Sequence, residues 1–368
     1  MKKTMLVIIA IIVALAAFAL YFFNTPQFGR APTGQRLERI MKSPNFKDGV
    51  FQNREPIVNH IEDNMFVSFY KFIFEKRDDL RPHVSVPHVK TDLKHLDKNK
   101  DLIVWFGHSS FMLQLSGHRF LIDPIFSGHV APLSFLMTAF EGTDPYSVDD
   151  LPYDIDTLLL SHDHWDHLSY ETTTALKAKV KNIVTGLGNG EYYEMWGYDP
   201  KIIHELDYGE EITLSDDIKI TFTPARHFSG RFLKQNPTEP GSFVITAVDR
   251  KFFYSGDSGY GQHFKEIGEK YGPFDFAVME DGQYDLQWHN VHMLPEEVIK
   301  ASEEIRTKAF MPVHNSKFVL ANHNWKDPLD KLKKLQENYE GKIVTPIIGE
   351  PVYLDNLPQM NLWWEKIQ

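Results

Sequence analysis

The stretch Ser161-His162-Asp163-His164-Trp165-Asp166-His167-Leu168 places three imidazoles and the Asp166 carboxylate within six consecutive positions. Neutral imidazole nitrogen and carboxylate oxygen are ligand atoms that Zn²⁺, Fe and Mn²⁺ accept. The cluster follows Thr157-Leu158-Leu159-Leu160, a short β-prone apolar run, so it stands where a buried strand passes into a loop. Alternate spacing at such an end turns His162 and His164 to one side and leaves Asp166 and His167 for a second ion, with Asp163 and Trp165 facing away. A loop that is His-rich by accident would fit a chain with 17 histidines, but not their clustering.

Three more strand ends deliver groups of the same kind. A strand over 218–222 runs into Pro224-Ala225-Arg226-His227, another over 251–254 into Ser255-Gly256-Asp257, and a third over 309–313 into His314. His162, His164 and His227 make a three-imidazole set, and Asp166, His167 and His314 a mixed one. Asp257 is the natural bridge, because one carboxylate can ligate two ions. Two such cations lower the pKa of a bridging water toward ~7 and stabilise charge on a phosphoryl or carbonyl oxygen, so Asp166 and Asp257 belong to the reacting centre as well.

His292 stands just ahead of a helix expected to begin at Pro295. A helix amino terminus favours anions, so His292 suits a phosphate oxygen or a leaving alkoxide; a hydrogen-bonded loop histidine is the alternative. With the ligand set complete, His108, His129, His289 and His323 are expected to support ligands, line a pocket or serve structure, and Asp123 to fix a turn or orient a ligand. Arg226 and Arg231 flank the His227 loop, either to meet a substrate phosphate or as surface arginines.

The elements that must position these residues read as an α/β fold. Strands over 102–105, 111–115 and 120–123 form an antiparallel meander ahead of the His cluster. Helices over 170–179 and 192–196 then alternate with a strand over 182–185. Hairpins follow over 211–222 and 242–254, then a strand over 274–279, helices over 295–306 and 327–339, and a stretch over 344–354 that closes the sheet.

The 368 residues, 42% hydrophobic and 13% aromatic, suffice for a large core, expected over 99–368. A net charge of -11 has the wrong sign for tracking nucleic acid, and without cysteine any metal must be held by His, Asp or Glu. Lys2-Lys3-Thr4 precede an apolar run from Met5 to Phe23, long enough to cross a ~30 Å hydrocarbon core. Residues 1–23 are therefore expected to be an uncleaved anchor, with a cleavable signal peptide as the competing account and the catalytic part outside the cytoplasm. Residues 24–98 read as an extension packing on the main domain, with an aromatic patch over 66–74 and a surface linker between Pro82 and Pro87.

His162-x-His164-x-Asp166-His167, His227, Asp257 within Ser-Gly-Asp, and His314 resemble, in this order, the metal-binding set of the metallo-β-lactamase superfamily. The resemblance runs from about Asp101 to the carboxyl end. Within the superfamily the chain is most similar to the N-acylphosphatidylethanolamine-hydrolysing phospholipase D group and its bacterial relatives. That match is carried by Trp105-Phe106-Gly107-His108-Ser109-Ser110, Asp123-Pro124, Pro224 to Arg231, Ser255 to Tyr260, and His292 followed by Pro295-Glu296-Glu297. It implies a four-layer αβ/βα sandwich with the site at one edge of two facing sheets, and His292 in the active site. It also implies hydrolysis of a phosphodiester, so the expected protein is a membrane-anchored hydrolase with two Zn²⁺, Fe or Mn²⁺ being possible, acting on a phospholipid or related amphiphile. A lactonase or other carboxylic-ester hydrolase is the alternative enzyme, and a non-catalytic metal-binding scaffold the alternative of another class.

Overall fold

The computed structural model describes residues 2–57, 77–215, 217–231, 235–285 and 288–367; the aromatic patch expected over 66–74 lies outside them. Helix α1 (Lys2–Phe23) includes a segment, Lys3–Phe23, that is long and apolar enough to cross a membrane by length and composition, and none of it is buried against the rest of the chain. A turn at Pro26–Phe28 docks its foot, with the Trp196 indole N–H donating to Pro26 O at 2.8 Å. Helix α2 (Gly34–Ile40) is clamped by Arg36, which pairs with Glu191 at 2.6 Å, Glu194 at 2.9 Å and Glu205 at 2.6 Å. Strands β1 (Phe46–Lys47) and β2 (Val50–Phe51) form a small hairpin, and Phe51 and Ile40 pack on Leu187. The expected linker is tied down instead: Val86 is buried and its N–H donates to Glu141 O at 2.8 Å, as does that of Val89 to Ile348 O at 2.8 Å.

Two seven-stranded sheets follow. One holds β3 (Leu102–Trp105), β4 (Phe111–Leu115), β5 (His118–Ile122), β6 (Ile155–Leu160), β7 (Val180–Gly186) and β8 (Ile203–Leu206) in chain order. The first three pair antiparallel as expected, and β5 to β8 run parallel. The other sheet holds β9 (Glu211–Ser215), β10 (Ile218–Pro224), β11 (Gly241–Thr246), β12 (Lys251–Tyr254), β13 (Phe276–Glu280), β14 (Ala309–Val313) and β15 (Lys342–Ile343). Its early strands are antiparallel hairpins and its last four run parallel.

Period-2 alternation explains the layers. In β3, Ile103 and Trp105 enter the core between the sheets while Leu102 and Val104 face outward; in β13, Phe276 and Val278 face in while Ala277 and Met279 face out. Helices α3 (Tyr170–Ala175) and α4 (Gly190–Met195) flank the first sheet, where Tyr192 and Tyr193 join its outer cluster. Helices α5 (His263–Lys270), α6 (Pro295–Glu304) and α7 (Asp327–Leu335) cover the second with Phe264, Val298, Ala301 and Leu332. The result is an αβ/βα sandwich.

Three local expectations are corrected. The stretch 344–354 does not close one sheet: β15 ends the second, and β16 (Pro351–Tyr353) pairs antiparallel with β3 at the edge of the first. Pro346 interrupts the run, and Gly349, at φ +85°, turns it so that its N–H reaches Trp105 O at 2.8 Å. Helix α3 stops at Ala175 rather than near 179, consistent with the β-branched run Thr172-Thr173-Thr174 and the start of β7 at Val180. Strand β8 was not expected, because its His204 and Glu205 break the apolar pattern.

Candidate metal centre

The carboxyl ends of β6, β10, β12 and β14 meet at one edge of the sandwich and bring together His162, His164, Asp166, His167, His227, Asp257 and His314, with His292 beside them on the loop after β13. The Nε2 atom of His162 lies 2.9 Å from Nδ1 of His164, and Nε2 of His227 lies 3.2 Å from that same atom. Asp166, His167 and His314 form a second group, joined by His108. The Asp257 carboxylate stands between the two groups. Its Oδ2 is 3.8 Å from His162 Nε2, 3.8 Å from His227 Nε2 and 3.0 Å from His167 Nε2, and its Oδ1 is 3.2 Å from His314 Nδ1. Gly256, at φ +57°, is required here, since a Cβ would sit 2.5 Å from Gly241 O and 3.1 Å from the Ser161 side chain.

Neighbouring groups fix the imidazoles. His227 Nδ1 is 3.0 Å from Val291 O, so Nδ1 carries the proton and Nε2 keeps its lone pair for the centre. His167 Nδ1 is 2.7 Å from Asp123 Oδ2, which leaves Nε2 facing Asp257. Asp123 is itself held by the Ser161 N–H at 2.8 Å and the Tyr254 hydroxyl at 2.6 Å. Asp123 thus stands directly behind His167 of the cluster.

The electrostatics suit a cation. Burial holds His162, His227 and His314 well below the usual imidazole range, and His164 below it, so all four present neutral nitrogen at pH 7. Burial opposes charge on His167 too, but Asp257, Asp166 and Asp123 outweigh it and push its pKa well up. In Asp166 burial is outweighed by His167 and His108, and its pKa is held well down. Nε2 of His167 and Oδ1 of Asp257 are buried without a hydrogen-bond partner. Orphaned polar atoms, lone pairs aimed at one another and two carboxylates in a buried space are a donor set that fits metal ions. The His/Asp cluster is able to hold them.

A cavity of about 350 Å³ opens on this centre, lined by His164, Asp166 and Asp257 together with Phe228, Trp288, Val291 and Leu320. His292 lies on its wall, its ring 5.1 Å from that of His227 and 5.0 Å from that of His314. The amino terminus of the helix behind it already carries a carboxylate of its own, Glu297, which accepts the Leu294 N–H at 2.9 Å. What His292 meets instead is Glu280, 2.7 Å from its Nδ1, a partner that sequence reasoning missed. The signal was a pair of acids, Glu280-Asp281, at the end of an apolar strand.

Other candidates serve the frame. His108 Nε2 meets Asp166 Oδ2 at 2.8 Å. His323 accepts the Gln283 N–H at 2.9 Å, His129 meets Ala131 O at 3.0 Å, and His289 lies beside Asn290. Asp163 points away from the centre, accepting from the Tyr192 hydroxyl at 2.7 Å and Gly230 N–H at 2.6 Å. Arg231 is no surface arginine: it is buried, 4.1 Å over the Trp165 ring, and donates to Asp163 O at 2.7 Å. Arg226 binds Tyr260 O at 3.0 Å and Asn290 Oδ1 at 2.9 Å. Neither arginine is among the residues lining the cavity.

The sequence profile of the family described as "Beta-lactamase superfamily domain" matches residues 118–315. An uncharacterized protein of Mycobacterium tuberculosis is 30% identical over 328 residues, 88% of each chain. A Caenorhabditis elegans protein named N-acyl-phosphatidylethanolamine-hydrolyzing phospholipase D 1 is 29% identical over 264 residues, 67% of this chain and 74% of that one. Among solved structures, a metallo hydrolase from Ignicoccus hospitalis shares the fold with a TM-score of 0.54 at 19% identity, covering 69% of this chain and 97% of the other. With the profile spanning more than half of the sequence and a His/Asp centre at the edge of the two sheets, the chain belongs to the metallo-β-lactamase superfamily, as a metal-dependent hydrolase.

Proposed function

We propose that this hydrolase is a dinuclear zinc phosphodiesterase, anchored in a membrane, that acts on a phospholipid or a related amphiphile. The observation that carries the reading is the apolar wall of Phe228, Trp288, Val291 and Leu320 standing directly over the paired His/Asp groups. Such a cavity seats an acyl or similar chain while its floor presents charge-handling groups. Similarity to the nematode phospholipase D supports a phosphodiester as the bond.

His162, His164 and His227 would hold one ion, Asp166, His167 and His314 the other, with Asp257 shared. All are nitrogen or oxygen donors, a set that suits Zn²⁺ and is open to Fe or Mn²⁺. Two such ions, when bound, supply Lewis acidity toward a phosphoryl oxygen and an attacking water of lowered pKa. The chain's own groups do the rest. Asp123 and Val291 O fix the tautomers of His167 and His227. His292, with Nδ1 held by Glu280, turns Nε2 to the cavity, where it gives its proton to the departing alkoxide as the phosphorus–oxygen bond breaks. Helix α1 would span the bilayer, with Lys2 and Lys3 on the cytoplasmic side and the catalytic part on the other.

The test is turnover of bis(nitrophenyl) phosphate against a panel of lactones, with metal content measured on the same purified full-length protein, and lipid profiling of cells carrying His164→Ala. Phosphodiester turnover, close to two metals per chain and accumulation of a phospholipid species in the variant are expected. Preference for lactones, less than one zinc or iron per chain, or unchanged phospholipids would each overturn the reading.

A further inference from the structure

Between β5 and β6 the chain passes through 124–140, Pro-Ile-Phe-Ser-Gly-His-Val-Ala-Pro-Leu-Ser-Phe-Leu-Met-Thr-Ala-Phe, without a single Asp, Glu, Lys or Arg. Its middle folds back on itself. His129 bridges Thr138 antiparallel, Val130 N–H donates to Met137 O at 3.2 Å, and Ala139 N–H to Gly128 O at 2.9 Å. The base is firm, because Ile125, Val130 and Phe318 are buried together with Ala139 and Leu320 packed on them. The tip is bare: Leu133, Phe135, Leu136 and Met137 are all exposed, Phe135 by 72%. A rigid hairpin that presents contiguous large apolar side chains to water is built to meet another apolar phase.

Its surroundings identify that phase. Gln27 Nε2, four residues beyond the last residue of α1, donates to Pro132 O at 3.3 Å, so the tip stands beside the foot of the apolar helix. Where α1 leaves a bilayer, the tip is at the headgroup and acyl boundary. Arg81 lies at the hairpin base, donating to Thr138 O at 3.0 Å with its guanidinium 5.4 Å from the Phe140 ring centre. Desolvation alone lowers the Arg81 pKa, and among the described residues no carboxylate pairs with it, which leaves it a cation suited to lipid phosphate. At the other side of the base, Leu320 also lines the cavity over the metal centre.

We propose that the 131–137 tip is a membrane-inserting wedge that seats Leu133, Phe135, Leu136 and Met137 in the bilayer beside α1 and holds the mouth of the cavity against the lipid. The proposal rests on α1 spanning the membrane, as proposed above.

The chain has no cysteine, so single cysteines can carry an environment-sensitive fluorophore at chosen places. Full-length Phe135→Cys, Leu15→Cys and Val248→Cys proteins are labelled and reconstituted in phosphatidylcholine and phosphatidylglycerol vesicles. Val248 is exposed in the turn between β11 and β12, at the edge of the sandwich away from the metal centre. At position 135 the expected result is blue-shifted emission, quenching by lipids with a nitroxide near the headgroup, and loss of quenching by aqueous iodide. Position 248 should show the reverse, and position 15 quenching by nitroxides deep in the acyl chain. If 15 is embedded while 135 is quenched by iodide as strongly as 248, the wedge is wrong and the anchor stands. If 15 also remains in water, both fall. Shielding of 135 from iodide without quenching by any lipid nitroxide means protein contact, and overturns the wedge.

Discussion

Nδ1 of His292 and Oε1 of Glu280 lie 2.7 Å apart, and the other oxygen of Glu280 accepts the N–H of Ser258, the residue after Asp257, at 2.8 Å. One buried carboxylate thus ties the cavity wall to the loop carrying Asp257. Burial pushes Glu280 up to about 7, and the charge of Glu280 raises the pKa of His292 against its own burial, so the pair holds a proton between them near neutral pH. Glu280→Gln keeps the shape and removes the charge. A leaving alkoxide needs the proton and a nitrophenolate does not. The variant should therefore lose about 10²-fold in kcat on alkyl phosphodiesters and little on bis(nitrophenyl) phosphate. Equal loss on both would reduce Glu280 to a packing role.

Removing metal should cost stability as well as activity. Ions that bind only the folded chain stabilise it by about 4 kcal/mol at a thousandfold excess over Kd, so chelation should lower the melting temperature while turnover vanishes. Zinc readdition should restore both. His227→Ala removes one imidazole of the three-histidine set while the other group stays intact, and on the proposed dinuclear reading elemental analysis should find about one metal fewer per chain, because the lost ligand would weaken one of the two proposed sites. A melting temperature that ignores chelators would show that the cluster holds no structural ion.

The seven strand-end residues were legible because each follows a short apolar β-prone run, so the chemistry is written next to the element that delivers it. Glu280 was not, although it also ends a strand, because its partner His292 arrives from a loop that only the fold brings back to it. The joining of β16 to β3 was hidden for the same reason, being a pairing between opposite ends of the domain. Arg231 shows the reverse error: a cation in a polar loop reads as surface, and only the assembled Trp165 and Tyr192 rings reveal a buried slot for its guanidinium.

That slot makes Arg231 a structural clamp on the His cluster. Its guanidinium donates to Asp163 O at 2.7 Å and Gln27 O at 2.5 Å, and also to Leu168 O, so it ties both ends of the cluster to the foot of α1. Arg231→Met fills the space but orphans these carbonyls, and should destabilise the protein by about 2–4 kcal/mol in denaturant titrations and weaken metal retention. Arg231→Lys should rescue little, since one ammonium cannot reproduce the planar fork. Full rescue by lysine would mean that charge alone matters there.

Asp156, at the start of β6 and far from the end that carries the His cluster, predicts an acid limb of stability. Its carboxylate takes Lys181 Nζ at 2.7 Å, Lys98 Nζ at 3.0 Å and the Arg119 N–H at 3.0 Å. Burial would raise its pKa, but these three partners prevail and hold it at about 2, below the ordinary 3.8. A depressed folded-state pKa means that the unfolded chain binds the proton more readily. The stabilisation is therefore complete above pH ~4 and is lost as pH falls toward ~2. The shift corresponds to about 2 kcal/mol, with the side chain 13% exposed and little screened. Asp156→Asn should be less stable than the native chain by about this amount at pH 7, with hydrolysis of bis(nitrophenyl) phosphate unchanged, and the gap should narrow between pH ~4 and ~2. A gap that stays constant across that window would show that the carboxylate contributes through its hydrogen-bonding shape and not through its charge.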